Sequence, residues 1–451
     1  MRSALDHFES HFSFYVPIFR STTRSVEASA HQFLHGLLQS PLSNMEKMAE
    51  TVVGSDYHRL HHMLSDSGWD SSLLRRQLCA DANQSGLAGK RAGLLLDGSY
   101  FAKKGDASAG VQRQWNGRLG KVDNCQTGLF AVIARDGIGA FVDARLYLPK
   151  AWTADSARCE KAGIPEAARA YRTKWEMLLE IVRCARQNEL KFGFVGFDGE
   201  FGQVPELLRA LADDGEVFLA EVHCNQTIFV ADPKPRVPER RSAKGRAPSR
   251  PVAGSEALTV QSWADAQPER AWRRVLIRQG EKGTVQAEFL AARVFVWDGK
   301  EAKARRWHLL VRRELDGSAI KYVLCNAPSG TSVHDLAKMQ GERFFVERTF
   351  EDAKSTLGMA EYQVRKWNGW HHHMGLVMVA TMFLAKERLA LRETADLLSC
   401  ADVVQMLKHR LPMKVFDDET LAQQIIQRHE RRQTSKDSAY RQQTRQMASS
   451  I

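Results

Sequence analysis

The sequence predicts a mixed α/β protein with a helical segment in front of its core, a β-rich insertion inside the core and a helical, basic tail. Three observations lead there. Apolar residues recur at helical spacing up to about residue 88, and the period changes at residue 93. Two short apolar runs, GLLLD at 93–97 and FGFVGFD at 192–198, each end in an acid and lie on either side of a long helical stretch. Alternating segments between residues 273 and 326 then separate these runs from a return to helical periodicity at 332–389.

Taken in order, FLHGLLQS, MEKMAETVV and HRLHHMLS give a helical domain over residues 1–88, with loop signals at Pro41 and Gly68. The first part of the core, 89–222, contains strands at 93–97, 127–134 and 140–148, a helix at 165–187, a strand at 192–198, a helix at 205–212 and a strand at 217–222. Residues 223–335 form the insertion. It opens with the Pro-, Arg- and Lys-rich segment ADPKPRVPERRSAKGRAPSRPV at 231–252, which has no apolar periodicity, and continues with strands at 273–278, 285–297, 307–313 and 320–326. Residues 336–393 complete the core with helices. Residues 394–451 end in the polar, basic QRHERRQTSKDSAYRQQTRQ, and no repeat of solenoid period occurs.

At 451 residues and 43% hydrophobic, the chain is long enough to bury a core in two or three domains. Its 64 Lys and Arg against 53 Asp and Glu give a net charge of +11, which suits a polyanionic partner such as nucleic acid. The seven cysteines are scattered and never form a Cys-x-x-Cys pair, which argues for a reducing cytosol and against a zinc site. MRSALDHFESHF is too polar for a secretory signal, and no apolar stretch reaches about 18 residues, so the expectation is a cytoplasmic, nucleoid-associated protein without membrane contact.

The chemistry rests on three acids: Asp97 in LLLDGSYF, Asp198 in FVGFDGEFG and Glu347 in RFFVERTFEDAK. Two-metal phosphodiester cleavage needs carboxylates that bridge and flank ions about 3.5–4 Å apart. Strand-terminal acids followed by Gly98 and Gly199 meet that need, although a single Asp-Gly at a strand end is ordinarily a turn. Arg343, Glu347, Glu351 and Lys354 recur at four, four and three residues and share one helical face. That face can present one metal ligand between two phosphate-binding cations, or be a solvated face held by ion pairs; Glu351 competes with Glu347 for the ligand role. His371, His372 and His373 are adjacent on a helix and fan out by about 100° each, so they cannot share one ion and are expected to serve helix packing and phosphate contact. Glu200 and Asp106 have no partner pattern and read as surface groups.

With these residues in place the chain resembles the DDE transposases of bacterial insertion sequences, in the group with a Tyr-x2-Arg-x3-Glu-x6-Lys signature. Arg343, Glu347 and Lys354 stand at the Arg, Glu and Lys positions, and Gln340 stands where the family has Tyr. WNGRLGKVDNCQTGLFAV, FDGEFGQVPELLRAL and LGMAEYQVRKWNGWHHHMGLVMVATMFL resemble the blocks around the acids, so the resemblance covers roughly residues 30–400. It implies an RNase H-like core interrupted by the β-rich insertion, with Asp97, Asp198 and Glu347 as catalytic residues and ligands of two Mg²⁺ ions, Mn²⁺ substituting. It implies cleavage at terminal inverted repeats through a DNA hairpin, strand transfer to target DNA, and a homodimer in the synaptic complex.

The resemblance further implies DNA contacts by Arg343 and Lys354 on phosphates, by Gln340 in the place of the Tyr, and by Trp297 or Trp307 stacking on a flipped base. The 1–88 segment would recognise the inverted repeats. Arg240, Arg241, Lys244 and Arg246 in the basic linker are expected to clamp the phosphate backbone. The alternatives are a catalytically silent repressor derived from such an enzyme, which would have no reason to keep all three acids with Arg343 and Lys354, and an unrelated RNase H-like nuclease, which would lack the insertion.

Overall fold

The computed structural model describes residues 4–20, 25–117, 119–239, 248–280, 283–395 and 397–448. The expected linker cations Arg240, Arg241, Lys244 and Arg246 lie outside the described residues. The chain opens with six helices: α1 (Ala4–Ser13), α2 (Val16–Phe19), α3 (Glu27–Gln39), α4 (Met45–Thr51), α5 (Tyr57–Ser65) and α6 (Ser71–Gln84). Asn44, Asp56 and Asp70 start α4, α5 and α6 by accepting the N–H of Lys47, Arg59 and Ser72, so each helix begins where a side chain satisfies an otherwise orphaned donor.

The core follows as β1 (Gly93–Ala102), β2 (Gln112–Asn116), β3 (Lys121–Arg135) and β4 (Ile138–Leu146), then the short helices α7 (Lys150–Thr153) and α8 (Ser156–Lys161). Next come α9 (Lys174–Gln187), β5 (Phe194–Phe197), α10 (Gly199–Gly202), α11 (Pro205–Asp213) and β6 (Phe218–Val222). The single helix expected at 165–187 is broken: a 3₁₀ turn covers Glu166–Ala168, and α9 begins only after Thr173. A reciprocal capping box sets that start, with Thr173 Oγ1 accepting the Glu176 N–H while the Glu176 carboxylate accepts the Thr173 N–H at 2.7 Å.

A two-stranded ribbon of β7 (Thr227–Ile228) and β8 (Leu258–Thr259) leads to α12 (Val260–Asp265) and to the strands β9 (Arg273–Gly280), β10 (Gly283–Val296), β11 (Arg305–Glu314) and β12 (Ile320–Cys325). The four strands read from sequence are present, but β12 pairs antiparallel with β6, Leu324 against Ala220, so the stretch extends the core sheet. The result is one ten-stranded sheet in the order β2-β3-β1-β5-β6-β12-β11-β10-β9, with β4 on the same edge of β3 as β2. Within it, β4-β3-β1-β5-β6, antiparallel through β1 and parallel from β1 to β6, is the strand order of an RNase H-like core.

Helices α13 (Val333–Thr356), α14 (Trp367–Ala390), α15 (Cys400–Lys408) and α16 (Asp418–Ala448) complete the chain. From Gly369 to Ala385, α14 is buried at every position except His371, so it must be covered on all sides. β3 and β4 cover it on one side: a Cβ at Gly128 would lie 2.8 Å from the Trp370 ring, so only glycine lets strand and helix approach this closely. The N-terminal helices cover the rest, with His11 Nε2 3.0 Å from the Val379 carbonyl and Leu74 against Gly375. One continuous apolar core therefore runs from Phe8 to Leu411, and the expected front domain shares it. α15 belongs to this core, whereas the side chains described on α16 are almost all exposed. No helix among the described residues is long and apolar enough to cross a membrane.

Helix α10 sits so close to β6 that a Cβ on Gly202 would fall 1.7 Å from the Glu221 carbonyl oxygen, which is backbone and cannot move aside. Gly202→Ala is therefore expected to destabilise the fold by about 3 kcal/mol, read as a lower midpoint in urea unfolding; an unchanged midpoint would contradict this packing.

Candidate active site

Two parallel pairings set the geometry. Leu95 of β1 lies against Gly196 of β5, and Phe197 of β5 lies against Ala220 of β6. Continuing the first register by two residues puts Asp97 beside Asp198, and continuing the second by one puts Asp198 beside Glu221. Residues paired in this way share a face of the sheet. That face is the one α13 crosses, because Asp97 pairs with Phe130 of β3, whose ring lies 5.2 Å from that of Phe350 on α13. Both Asp97 and Asp198 are half-buried.

Local bonds hold the two aspartates. Asp97 Oδ1 accepts the Gly98 N–H at 2.7 Å, and Asp198 starts α10 by accepting the Glu200 N–H at 3.0 Å. Burial first, and then the neighbouring charge of Asp198, push the Asp97 carboxyl up to about 7, while Arg343 opposes the shift and Glu347 adds to it. Asp198 is raised by burial as well, with Arg343 the main opposing charge.

From α13, Arg343 faces these acids. It is 6% exposed, its Nη1 donates to Glu347 Oε1 at 2.8 Å, and its Nε lies 3.4 Å from Glu221 Oε1. The charges of Glu221, Asp97, Glu347 and Asp198 all act on this guanidinium, so one buried arginine is shared by four acids. Glu347, more than half exposed, is the helix carboxylate whose charge reaches Asp97; Glu351 lies one turn on, 3.8 Å from Arg348. Lys354 extends the same face, with Nζ 5.2 Å from the centre of the Phe350 ring.

Glu221 has no local signature in the sequence, because it lies inside a strand without a flanking glycine; its register with Asp198 is the signal that marks it. Lys321 of β12 approaches it at 3.5 Å. Glu200, read as a plain surface group, accepts from Lys174 Nζ at 2.6 Å and from the Tyr100 hydroxyl at 3.3 Å, at the edge of the Asp198 turn.

Other expected site residues are placed elsewhere. Gln340 is 3% exposed and its amide oxygen accepts from Arg312 Nη1 at 3.4 Å, so in this conformation it faces β11 and not solvent. Trp307 is packed edge-on to Phe218 at 5.0 Å, in the core. Trp297 is half-buried just after β10, its Nε1 donating to the Glu301 carbonyl at 2.8 Å. His372 stacks on Trp69 at 3.9 Å between the carbonyls of Leu64 and Trp69, and His373 lies 3.2 Å from the Met359 carbonyl. Both are buried: the expected helix packing is present, and a phosphate contact is out of their reach.

Hard carboxylate oxygens set side by side, with Asp97 raised first by burial and then by the charge of Asp198, fit a divalent cation that would relieve their repulsion. Asp97, Asp198 and Glu347 do not close into one cluster. Among the described residues, only Glu9, His31 and His35 bring three such ligand atoms within 4.8 Å of one another.

Residues 13–284, more than half of the chain, match the family described as DDE superfamily endonuclease. The chain belongs to this family. The matched span of this endonuclease contains Asp97 and Asp198 and ends before Glu347. The chain is also similar to a protein described as "Probable transposase for insertion sequence element IS701" from Microchaete diplosiphon, at 22% identity over 343 residues that cover 76% of this chain and 77% of that one. Among solved structures it is similar to a cryo-EM structure of a piggyBac transposase synaptic complex with hairpin DNA, with a TM-score of 0.42 and 10% identity, covering 91% of this chain and 80% of the other.

The raised Asp97 carboxyl has a consequence for stability. Its unfolded value is about 4, so between about pH 4 and 7 the folded state binds the proton more tightly, and stability falls as pH rises through that window. In EDTA at pH 8, Asp97→Asn is expected to raise the Tm by several degrees, on the order of 2–4 kcal/mol, with the gain vanishing near pH 4. Added Mg²⁺ is expected to raise the Tm of the wild type and not of the variant. Equal Tm values at pH 8 would contradict this electrostatic account.

Proposed function

We propose that this endonuclease is a transposase that cuts and joins DNA at the terminal inverted repeats of an insertion sequence, in the group with the Tyr-Arg-Glu-Lys signature. The observation that carries the reading is the alignment of Asp97 on β1 with Asp198 just after β5, opposite Arg343 and Glu347 on one turn of α13, in a member of the DDE superfamily. Asp97 lies midway along β1, because that strand runs on to Ala102 and does not end at the acid as expected. The description of the similar protein as a probable transposase supports it.

In this reading Asp97, Asp198 and Glu347 would hold two Mg²⁺ ions, or Mn²⁺, which would supply charge stabilisation at the phosphoryl oxygens and a more acidic coordinated water. The paired strand β1 and the turn after β5 fix the two aspartates, so the cost of bringing like charges together is met by folding before DNA arrives. Arg343 holds the Glu347 carboxylate by its 2.8 Å hydrogen bond and is itself held by Glu221. Such a buried guanidinium both orients the third acid and offsets the negative charge around the aspartates. Lys354, on the same face, would grip a phosphate near the scissile bond.

The half-buried Trp297 is better placed than the core residue Trp307 to stack on an extruded base while a hairpin forms. Double-stranded DNA is the partner, bound by the N-terminal helices and by the exposed basic helix α16, with two copies of the chain joining two ends in a synaptic homodimer.

The test uses a labelled duplex carrying the element's terminal repeat with Mg²⁺. The wild type is expected to give nicked, hairpin and strand-transfer products, and Asp97→Ala, Asp198→Ala and Glu347→Ala to bind the duplex while cutting at least ~1,000-fold more slowly. Glu221→Gln should slow cleavage by about tenfold, and Glu351→Ala should leave it within about twofold. Binding without cleavage by the wild type would replace this reading with that of a repressor. Cleavage lost in Glu351→Ala and kept in Glu347→Ala would move the third acid.

A further inference from the structure

Away from the sheet, Glu9 of α1 and His31 and His35 of α3 bring their ligand atoms within 4.8 Å of one another. The two histidines are four residues apart and therefore lie on one face of α3, their ring centres 4.2 Å apart. Both present Nε2 to the same carboxylate. His31 Nε2 is 2.9 Å from Glu9 Oε2, and His35 Nε2 is 3.7 Å from Glu9 Oε1.

An ordinary ion pair accounts for His31 and Glu9. It does not account for His35, which is 5% exposed and whose Nε2 is buried without a hydrogen-bond partner. A buried polar atom left in this state costs free energy that a ligand would recover. Its ring is held in place by Phe8 at 5.1 Å, and that of His31 by Phe12 at 4.8 Å, so the two nitrogens cannot easily turn away from the carboxylate.

We propose that Glu9, His31 and His35 form a binding site for a divalent transition metal of the zinc class. Two imidazoles at i and i+4 with one carboxylate are a zinc-type donor set, and imidazole ligands exclude Mg²⁺ as the preferred ion. Metal bonds of about 2.0–2.1 Å in a tetrahedral site separate ligand atoms by roughly 3.4 Å; the two Nε2–carboxylate distances of 2.9 and 3.7 Å bracket this value and all three ligand atoms lie within 4.8 Å, so side-chain movement alone would admit an ion. Glu9 is about half exposed, which leaves the fourth position open to water. Cysteine spacing points away from a zinc site in this chain, and this site uses none. The ion would fasten α3 to α1, which α14 already holds through His7 and Glu387 at 3.0 Å, and so brace the N-terminal helices.

The test is Co²⁺ titration of the full chain in an Asp97→Asn/Asp198→Asn background, which removes the two aspartates of the candidate active site. One equivalent of Co²⁺ with the intense visible bands of a four- or five-coordinate nitrogen and oxygen site is expected, displaced by Zn²⁺ and not by Mg²⁺. His31→Ala and Glu9→Gln, both at partly exposed positions, should keep the circular dichroism of the fold and weaken Co²⁺ binding by about 100-fold or more. Zn²⁺ should raise the Tm of the background protein but not of these variants. Absence of the bands, or bands unchanged in both folded variants, would overturn the proposal.

Discussion

Three neighbouring parallel strands bring three acids to one level, and the proposed chemistry of this protein depends on that register. β1, β5 and β6 deliver Asp97, Asp198 and Glu221 side by side, and like charges at this spacing repel. Burial first, and the charge of Asp198 second, raise the Asp97 carboxyl to about 7. The sheet holds the acids there because each strand is fixed on both sides: β1 between β3 and β5, and β6 between β5 and β12. The aspartates are thus stable as an array only because backbone pairing elsewhere offsets their mutual cost.

Helix α13 answers the array. Arg343 is buried where four acids act on it, and it also orients Glu347, the one acid contributed from outside the sheet. Its placement requires α13 to stay on the sheet, which Phe350 achieves by packing against Phe130 and Phe141. α14 in turn backs this layer and is buried by the N-terminal helices. A change in the helices at the start of the chain can therefore reach the site through packing alone, across a single continuous core.

The parts of the site that sequence made legible are those with a local signature. An apolar run ending in Asp-Gly marks Asp97 and Asp198, and the four-residue rhythm of Arg343 and Glu347 marks a shared helical face. Glu221 has no such signature; its role follows from the register between β5 and β6. The same limit explains the sheet: β9 to β12 alternate like strands, but their union with the core lies in the pairing of β12 with β6, about a hundred residues apart in sequence. The N-terminal helices carried apolar stripes and loop signals, while the sharing of their core with α14 depends on contacts made more than 300 residues away. Gln340 stands at a motif position and Trp307 in the insertion, where the resemblance implies DNA contacts, and burial of both is a tertiary outcome that spacing does not encode.

The central claim is that Asp97 and Asp198 form the cation-binding pair. Crystals of the full chain soaked in Mn²⁺ and measured at the manganese edge test it most directly. The account predicts an anomalous peak bounded by the Asp97 and Asp198 carboxylates. Manganese found at other carboxylates, with none between these two, would contradict it.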